Sequence, residues 1–253
     1  MPSQDNFIYL VEDQVFFHPL KANIDGLLGV SEYLIYDDLV TAYRFGIFPL
    51  NNPTDPILWW SPDPRWVLNP TNINISKSMR KIMKELPWRV TCDTAFQTVM
   101  KRCAESKFRK DKEPSWITTE YIDIYTEFYT NGRGHSFEVW NSTGELIGGL
   151  YGVITGKIFS GESMFSEVSN TSKYAFILAC EFLAKKGIVL IDCQMHSNHL
   201  ESLGAYPVSR EDYFKFIRTN GFDVPELLIN QSESFNHFMQ EKVNPQNNST
   251  HYD

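Results

Sequence analysis

The sequence predicts a mixed α/β (α+β) protein, and two patterns support this prediction. Residues 136–165 alternate between apolar and polar side chains in three runs separated by turn residues, which is typical of an antiparallel meander. A helical segment over residues 170–187 and a continuous apolar run over residues 188–193 follow. Because parallel strands need a long connection, this order predicts a β-α-β crossover after the meander.

The elements ahead of the meander are predicted from caps and periodicity. We predict a helix over residues 37–45, a basic amphipathic helix over 76–86, a short strand over 88–91, a helix that Asp93 caps, and a helix that starts at Thr118 or Thr119. The antiparallel meander followed by the β-α-β crossover matches the core of the GCN5-related acyltransferase (GNAT) fold.

A proline-rich segment over residues 48–69 contains two adjacent tryptophans, Trp59 and Trp60. Prolines at 56, 62 and 64 predict a rigid extended loop rather than a helix or a central strand, because proline removes a backbone donor. The tryptophans could pack inward or stack on a planar ligand such as a nucleobase, and composition favours the inward position.

Composition excludes several classes of protein. A chain of 253 residues with 42% hydrophobic residues is globular, and no apolar run approaches the length of a membrane span. The first ten residues lack the basic region of a signal peptide, so we expect none. Four cysteines without Cys-x-x-Cys spacing indicate free thiols in a reducing compartment, which favours a cytoplasmic location. Residues 223–253 are polar and predict a partly disordered tail.

Charge is unevenly distributed along the chain. The net charge is −8, but residues 76–112 hold 11 Lys and Arg against 4 Asp and Glu, which is a local excess of +7. Such an island can bind phosphates, or it can be the solvated face of two amphipathic helices.

Familiar catalytic patterns are missing from the sequence. Residues 161–163 begin like a nucleophile elbow, but Phe165 replaces the closing glycine. His196 and His199 lack a third metal ligand, so a capping or surface role is favoured and no metal is predicted. The glycine-rich loop with which GNAT enzymes bind coenzyme A is also missing.

Polar side chains near two strand ends remain as candidates. Asp192 and Gln194 are two residues apart in a strand, so we expect both to point to one face, with the carboxylate accepting the amide N–H. Asp192 could instead cap the following turn. Glu162 lies among apolar residues, where a carboxylate is either paired or binds a cationic ligand.

Ten short segments, in this order, closely resemble the leucyl/phenylalanyl-tRNA–protein transferase family. They are GLLG at 26–29, YRFGIFP at 43–49, ILWWSPDPR at 57–65, WIT at 116–118, HSFEVW at 135–140, GGLYG at 148–152, GESMF at 161–165, SK at 172–173, IDCQ at 191–194 and SLGA at 202–205. The likeness covers about residues 24–216.

The resemblance implies a small N-terminal domain over residues 1–72 packed on a GNAT-like catalytic domain over residues 73–222. It implies transfer of Leu or Phe from Leu-tRNA or Phe-tRNA to proteins that begin with Arg or Lys, which marks them for degradation. It implies no metal, coenzyme A, ATP or other cofactor.

The resemblance also implies roles for individual residues. Gln194 would contact the attacking amine, Asp192 would hold and polarise Gln194, and Glu162 would lie near the substrate amine or the cationic side chain. The remaining implied residues are an amino-acid pocket (Leu150, Phe159, Met164, Phe176), two adenosine-binding tryptophans (Trp59, Trp116) and tRNA-binding cations (Lys77, Arg80, Lys81, Lys84).

Two departures from the family pattern bear on the site. Val30, Ser31 and Glu32 replace a usual Gly-Gly-Asp, and Ala179 replaces a bulky pocket residue. Phe159 and Glu162 also have opposite strand parity, so both reach one site only if Gly161 marks a bulge. Two alternatives are an acyl-CoA-dependent GNAT N-acyltransferase and a non-catalytic RNA-binding module.

Overall fold

The computed structural model describes residues 17–53, 55–105, 115–221 and 231–243. Its N-terminal part holds a three-stranded antiparallel sheet of order β1-β3-β2, a 3-10 helix over Pro19–Lys21 and one α-helix. The elements are β1 (Leu27–Ser31), α1 (Tyr36–Arg44), β2 (Phe48–Pro49) and β3 (Ile57–Trp60).

A seven-stranded sheet forms the rest of the molecule, in the order β10-β4-β9-β8-β7-β6-β5. Its strands are β4 (Arg65–Leu68), β5 (Arg89–Cys92), β6 (Gly134–Trp140), β7 (Leu146–Thr155), β8 (Ile158–Ser166), β9 (Leu190–Gln194) and β10 (Tyr206–Val208). β5 to β8 form the predicted antiparallel meander, and β9 pairs parallel to β8 after the crossover helix α5 (Thr171–Lys185). The mixed α/β prediction is confirmed.

Helices cover both faces of the large sheet. They are α2 (Lys77–Glu85), α3 (Phe96–Glu105), α4 (Thr119–Thr130), α6 (Asn198–Ser202), α7 (Arg210–Asn220) and α8 (Ser232–Val243). One core cluster contains side chains of α5 and α8, and a second contains side chains of α1, α3, α4 and the small sheet. No described helix is long and apolar enough to cross a membrane.

Asp93 is not the predicted helix cap. Its φ of 57° turns the chain into the left-handed region, and its carboxylate accepts backbone N–H groups of Ser136 and Gln231. It also pairs with Nδ1 of His135. A carboxylate from a neighbouring strand, Glu138, accepts the N–H of Ala95 at the start of α3 instead.

The proline-rich segment is not a loop. β3 is the central strand of the small sheet, and β4 lies inside the large sheet. Pro56 comes just before β3, and Pro62 and Pro64 lie between β3 and β4. These three prolines therefore flank β3 and β4 and remove no hydrogen bond from either strand, and Pro49 lies in the edge strand β2.

The segment after residue 222 contains a packed helix rather than only a polar tail. Phe235 and Phe238 of α8 are buried, and the ring of Phe235 lies 5.1 Å from that of Phe182. Two buried phenylalanines anchor this helix against the core, which the polar composition of the segment did not indicate. Residues 222–230 and 244–253 lie outside the described residues.

Candidate active site

A cavity of about 560 Å³ opens where β8 and β9 separate. The parallel pairing of these strands runs from Ile158–Leu190 to Ser160–Asp192 and then ends. Beyond that point, side chains from β7, β8, α5 and the segment after β9 line the space between the strands. The end of parallel pairing is thus what creates room for a ligand.

A bulge in β8 turns Glu162 toward this cavity. Tyr151 pairs with Ser163 and the next residue, Gly152, pairs with Gly161, which leaves Glu162 as an extra residue on β8. The bulge predicted at Gly161 is therefore present. The extra residue shifts the alternation of β8 side chains between the two faces of the sheet at the position of the Glu162 carboxylate.

The apolar wall of the cavity contains three of the four predicted pocket residues. Leu150, Met164 and Phe176 line it. Phe159 is not part of the lining, and its ring packs in the core, 6.3 Å from the ring of Phe137. Ala179 is also buried in that core rather than at the cavity.

Asp192 is held by a buried arginine. Nε and Nη2 of Arg65 donate to its two carboxylate oxygens at 2.8 and 2.6 Å, and both side chains are 1% exposed. Tyr213 and Ser160 also donate hydroxyl hydrogen bonds to Oδ2. With these four bonds, a fifth from the backbone N–H of Gln194 and almost no exposed surface, the carboxylate is fully occupied by protein groups.

Gln194 does not bond to Asp192 through its side chain, which differs from the expectation. Its φ of 62° ends the regular strand, and its backbone N–H donates to Oδ1 of Asp192 at 2.9 Å. Its side-chain Nε2 donates instead to Oε1 of Glu162 at 2.9 Å. Glu162 therefore orients the amide, and Asp192 orients the backbone that carries it.

Glu162 is half-buried beneath two tyrosines. Tyr125 donates to its Oε2 at 3.4 Å, and the hydroxyls of Tyr125 and Tyr43 are 2.6 Å apart. Burial raises the pKa of Glu162 from 4.5 to about 7, although hydrogen bonds from Tyr43 and Gln194 oppose the shift. The carboxyl group can thus change its charge near neutral pH.

The two predicted tryptophans differ in position. Trp116 is half-buried, lines the cavity and packs edge-on against Tyr121 at 5.2 Å. Trp59 is 1% exposed and donates its Nε1 hydrogen bond to Oγ of Ser31. Trp59 therefore packs inward and presents no face for stacking, and Ser31, one of the unusual residues of this chain, holds it.

The four predicted tRNA-binding cations lie on α2. Lys77, Arg80, Lys81 and Lys84 are exposed, and Met79 of the same helix is buried. A backbone hydrogen bond from Asn74 to Leu203 joins the segment before α2 to the chain that follows α6. The basic helix is therefore connected to the cavity rim.

The two histidines after β9 have different contacts. Among the described residues, no group of three His, Cys, Asp or Glu could hold a metal ion. His196 pairs with Glu201 at 3.0 Å. Both histidines line the cavity.

Sequence patterns missed the groups that hold the site together, namely Arg65, Tyr43, Tyr125, Ser160 and Tyr213. They come from five different elements or their ends. Only the arginine within a largely apolar strand, between Pro64 and Trp66, offered a local signal, since a buried cation needs an anion.

Two family models match the chain. The model described as leucyl/phenylalanyl-tRNA protein transferase matches residues 67–218, and the model of the N-terminal domain of that enzyme matches residues 36–63. Together they cover the cavity, α2 and most of the small sheet.

Curated relatives that carry the name leucyl/phenylalanyl-tRNA–protein transferase are similar over most of this chain. One from Pseudomonas fluorescens is 43% identical over 83% of this chain and 92% of its own. One from Shewanella sp. (strain ANA-3) is 47% identical over 81% and 87%, and one from Christiangramia forsetii is 43% identical over 83% and 100%.

Similarity to solved structures is weak. L-PGS from Bacillus licheniformis matches with a TM-score of 0.37 and 13% identity, over 68% of this chain and 54% of that chain. A TM-score this low carries no argument about fold or activity.

Proposed function

The chain belongs to the leucyl/phenylalanyl-tRNA–protein transferase family and is an aminoacyltransferase, and we propose that its acceptors are proteins that begin with Arg or Lys. We further propose that it takes Leu or Phe from Leu-tRNA or Phe-tRNA. The observation that carries the site assignment is the Gln194 amide, which Glu162 holds at an apolar cavity.

The reaction requires the enzyme to position the amine and the ester, and it requires no enzyme nucleophile. An aminoacyl ester is already activated, and an α-amine has a pKa of about 7.7–8.0, so part of it is neutral at pH 7. Bringing the amine and ester together in a fixed geometry can be equivalent to effective molarities of about 10⁵–10⁸ M. The C–N bond forms as the bond to the ribose oxygen breaks, and the proton lost by the amine ends on that oxygen.

Gln194 is the proposed contact for the attacking amine. Since Nε2 of Gln194 is engaged by Glu162, Oε1 is left to accept a hydrogen bond from the amine. An ionised Glu162 polarises the amide and makes Oε1 a better acceptor. An ionised Glu162, which contacts the same amide, also attracts the positive charge of an Arg or Lys side chain on the acceptor.

The apolar wall and Trp116 form the proposed binding site for the donor, the aminoacyl end of the tRNA. Leu150, Met164 and Phe176 suit a Leu or Phe side chain, and Trp116 offers a half-buried ring on which the terminal adenine can stack. We assign no adenosine contact to Trp59, because it is buried in the core.

We propose that α2 binds the tRNA backbone. Its four exposed cations, Lys77, Arg80, Lys81 and Lys84, belong to a chain with a net charge of −8, so they form a local attraction for phosphates. The hydrogen bond between Asn74 and Leu203 supports this proposal, since it ties the start of that helix to the cavity rim.

We also propose a GNAT-like catalytic domain over residues 73–222, a small domain over residues 1–72 and a cytoplasmic location. The crossover and the separation of β8 from β9 support the first. The separate model match at residues 36–63 supports the second. The four buried free cysteines and a tRNA substrate support the third.

The test is an assay with purified full-length protein, labelled Leu-tRNA and an Arg-initiated peptide. The same peptide with an acetylated N-terminus and one that begins with Glu are matched controls. We expect label only on the free Arg-initiated peptide, without added ATP, metal or coenzyme A. Absence of transfer from active charged tRNA would refute the function, and equal labelling of the Glu-initiated peptide would refute the acceptor rule.

A further inference from the structure

His199 lies on the cavity wall and carries a buried polar atom. It lies in α6, just after β9, and its side chain lines the cavity wall. Among the described residues, its Nε2 has no hydrogen-bond partner although the atom is buried. A buried polar atom without a partner costs free energy, so a ligand group that satisfies this nitrogen would bind favourably.

Neighbouring polar groups on the cavity wall are already paired. Oγ of Ser166 donates to Oγ of Ser172 at 2.8 Å and accepts its backbone N–H. Oγ of Ser197 accepts the N–H of Leu200, and Nε2 of His196 pairs with Glu201. His199 therefore differs from Ser166, Ser172 and Ser197 in having a buried polar atom that no described residue bonds.

The charge of His199 selects the kind of partner. Burial, and then the nearby charge of Lys173, lower the pKa of His199 below 6.5, so the ring is neutral at neutral pH. A neutral imidazole offers one N–H donor and one acceptor nitrogen. It cannot balance a phosphate, whereas a hydroxyl group matches it in charge and in hydrogen bonding.

The donor substrate brings one such hydroxyl into the cavity, and this step rests on the function proposed above. When the apolar wall holds the amino-acid side chain and Gln194 holds the amine, the ester lies between them. The ribose carbon next to the ester carries a free hydroxyl. We propose that Nε2 of His199 hydrogen-bonds this ribose hydroxyl of the terminal adenosine and so positions the leaving oxygen.

The test compares two leucyl donors that differ by one atom. Leu-tRNA ending in adenosine and Leu-tRNA ending in 3′-O-leucyl-2′-deoxyadenosine are prepared by ligation of chemically aminoacylated ends. The protein variants are wild type, His199→Leu, His199→Gln and His196→Ala. The kcat/KM of each variant is measured with both donors, and thermal unfolding shows that each variant is folded.

We expect the wild type to lose about 10-fold in kcat/KM with the deoxy donor, the loss of one buried hydrogen bond. His199→Leu should show about the same loss with the ribose donor and no further loss with the deoxy donor. His199→Gln should recover part of the ratio of kcat/KM between the ribose donor and the deoxy donor, because its amide reaches the position of Nε2. His196→Ala should keep the wild-type ratio.

Equal losses of His199→Leu on both donors, or a wild type that does not distinguish them, would overturn the ribose contact while leaving the transfer function intact. A wild type that is inactive with the ribose donor would refute the proposed function itself. If His199→Leu does not fold, the ratio of kcat/KM between the two donors is compared for the wild type and His199→Gln. The contact is overturned if neither protein distinguishes the ribose donor from the deoxy donor.

Discussion

Arg65 and Asp192 are 127 residues apart in the chain and form a two-point ion pair, with N–O distances of 2.8 and 2.6 Å, that is almost inaccessible to solvent. The pair joins β4 to β9. Because Oδ1 of Asp192 also accepts the backbone N–H of Gln194, this contact sets where the strand ends and the site begins.

Asp192→Asn should destabilise the protein strongly, because it leaves the Arg65 guanidinium buried without a counter-charge. We expect the free energy of unfolding to fall by about 3–5 kcal/mol. Urea denaturation measures this loss, and Glu211→Gln, which breaks an exposed pair with Lys215, is the control, for which we expect almost no change. A normal urea midpoint for Asp192→Asn would show that the pair contributes little.

Gln194→Asn should impair catalysis without destabilising the fold. Asparagine tolerates the left-handed backbone at this position but draws the amide away from Glu162. We expect kcat/KM for transfer to fall by about 10²-fold, as when a positioned polar group in an active site is removed, with an unchanged urea midpoint. Near-normal transfer would mean that the amide oxygen does not contact the amine.

The rate of transfer should depend on pH through two groups in the wild type and one in Glu162→Gln. The acceptor amine must lose a proton, with a pKa of about 7.7–8.0, and Glu162, with a pKa of about 7, must be ionised to polarise Gln194. Below both values, log kcat/KM should rise with a slope near 2 in the wild type and near 1 in the variant. Equal slopes would remove Glu162 from the reaction.

Stability should change with pH in the opposite direction. Since the pKa of Glu162 is raised on folding from 4.5 to about 7, the folded state holds this proton more tightly than the unfolded chain does. The stability from this group is complete below pH 4.5 and is lost as pH rises through 7. Between pH 4.5 and 8, the wild type should lose up to about 3 kcal/mol relative to Glu162→Gln, measured by urea denaturation. Parallel stability curves would contradict the shift.

Neutralising Arg80 and Lys84 together should weaken binding of all tRNAs alike. Each lost phosphate contact should lower the slope of log K against log salt by about 0.7–0.9. Fluorescence titration at several salt concentrations measures the slope, and replacement of Lys186 and Lys215, two exposed lysines elsewhere, is the matched control. An unchanged slope in the Arg80 and Lys84 variant would place the tRNA on another surface.

Met164→Ala should shift amino-acid choice toward Phe. Met164 is half-buried in the apolar wall, so its removal enlarges the pocket beside a Leu side chain and leaves room for a ring. We expect the ratio of kcat/KM for Phe-tRNA over Leu-tRNA to rise by about 5-fold, within the range for small changes in an apolar pocket. An unchanged ratio in competition assays would assign selection to other residues.

Local patterns in the sequence determined the meander, the crossover and the membership of the family. Period-two alternation is a property of each strand by itself, and the ten ordered segments need no knowledge of contacts. The same local view failed at Asp93, because a left-handed backbone and partners at Ser136 and Gln231 override its capping preference.

Only the tertiary structure decided which side chains of the site contact one another. One extra residue in β8 and a positive φ at Gln194 each reverse the side-chain direction that strand parity predicts, so the amide meets Glu162 rather than Asp192. The ion pair between Arg65 and Asp192 joins residues that no local pattern relates. Side-chain direction is set by backbone torsion and by distant partners, and a periodic pattern contains neither.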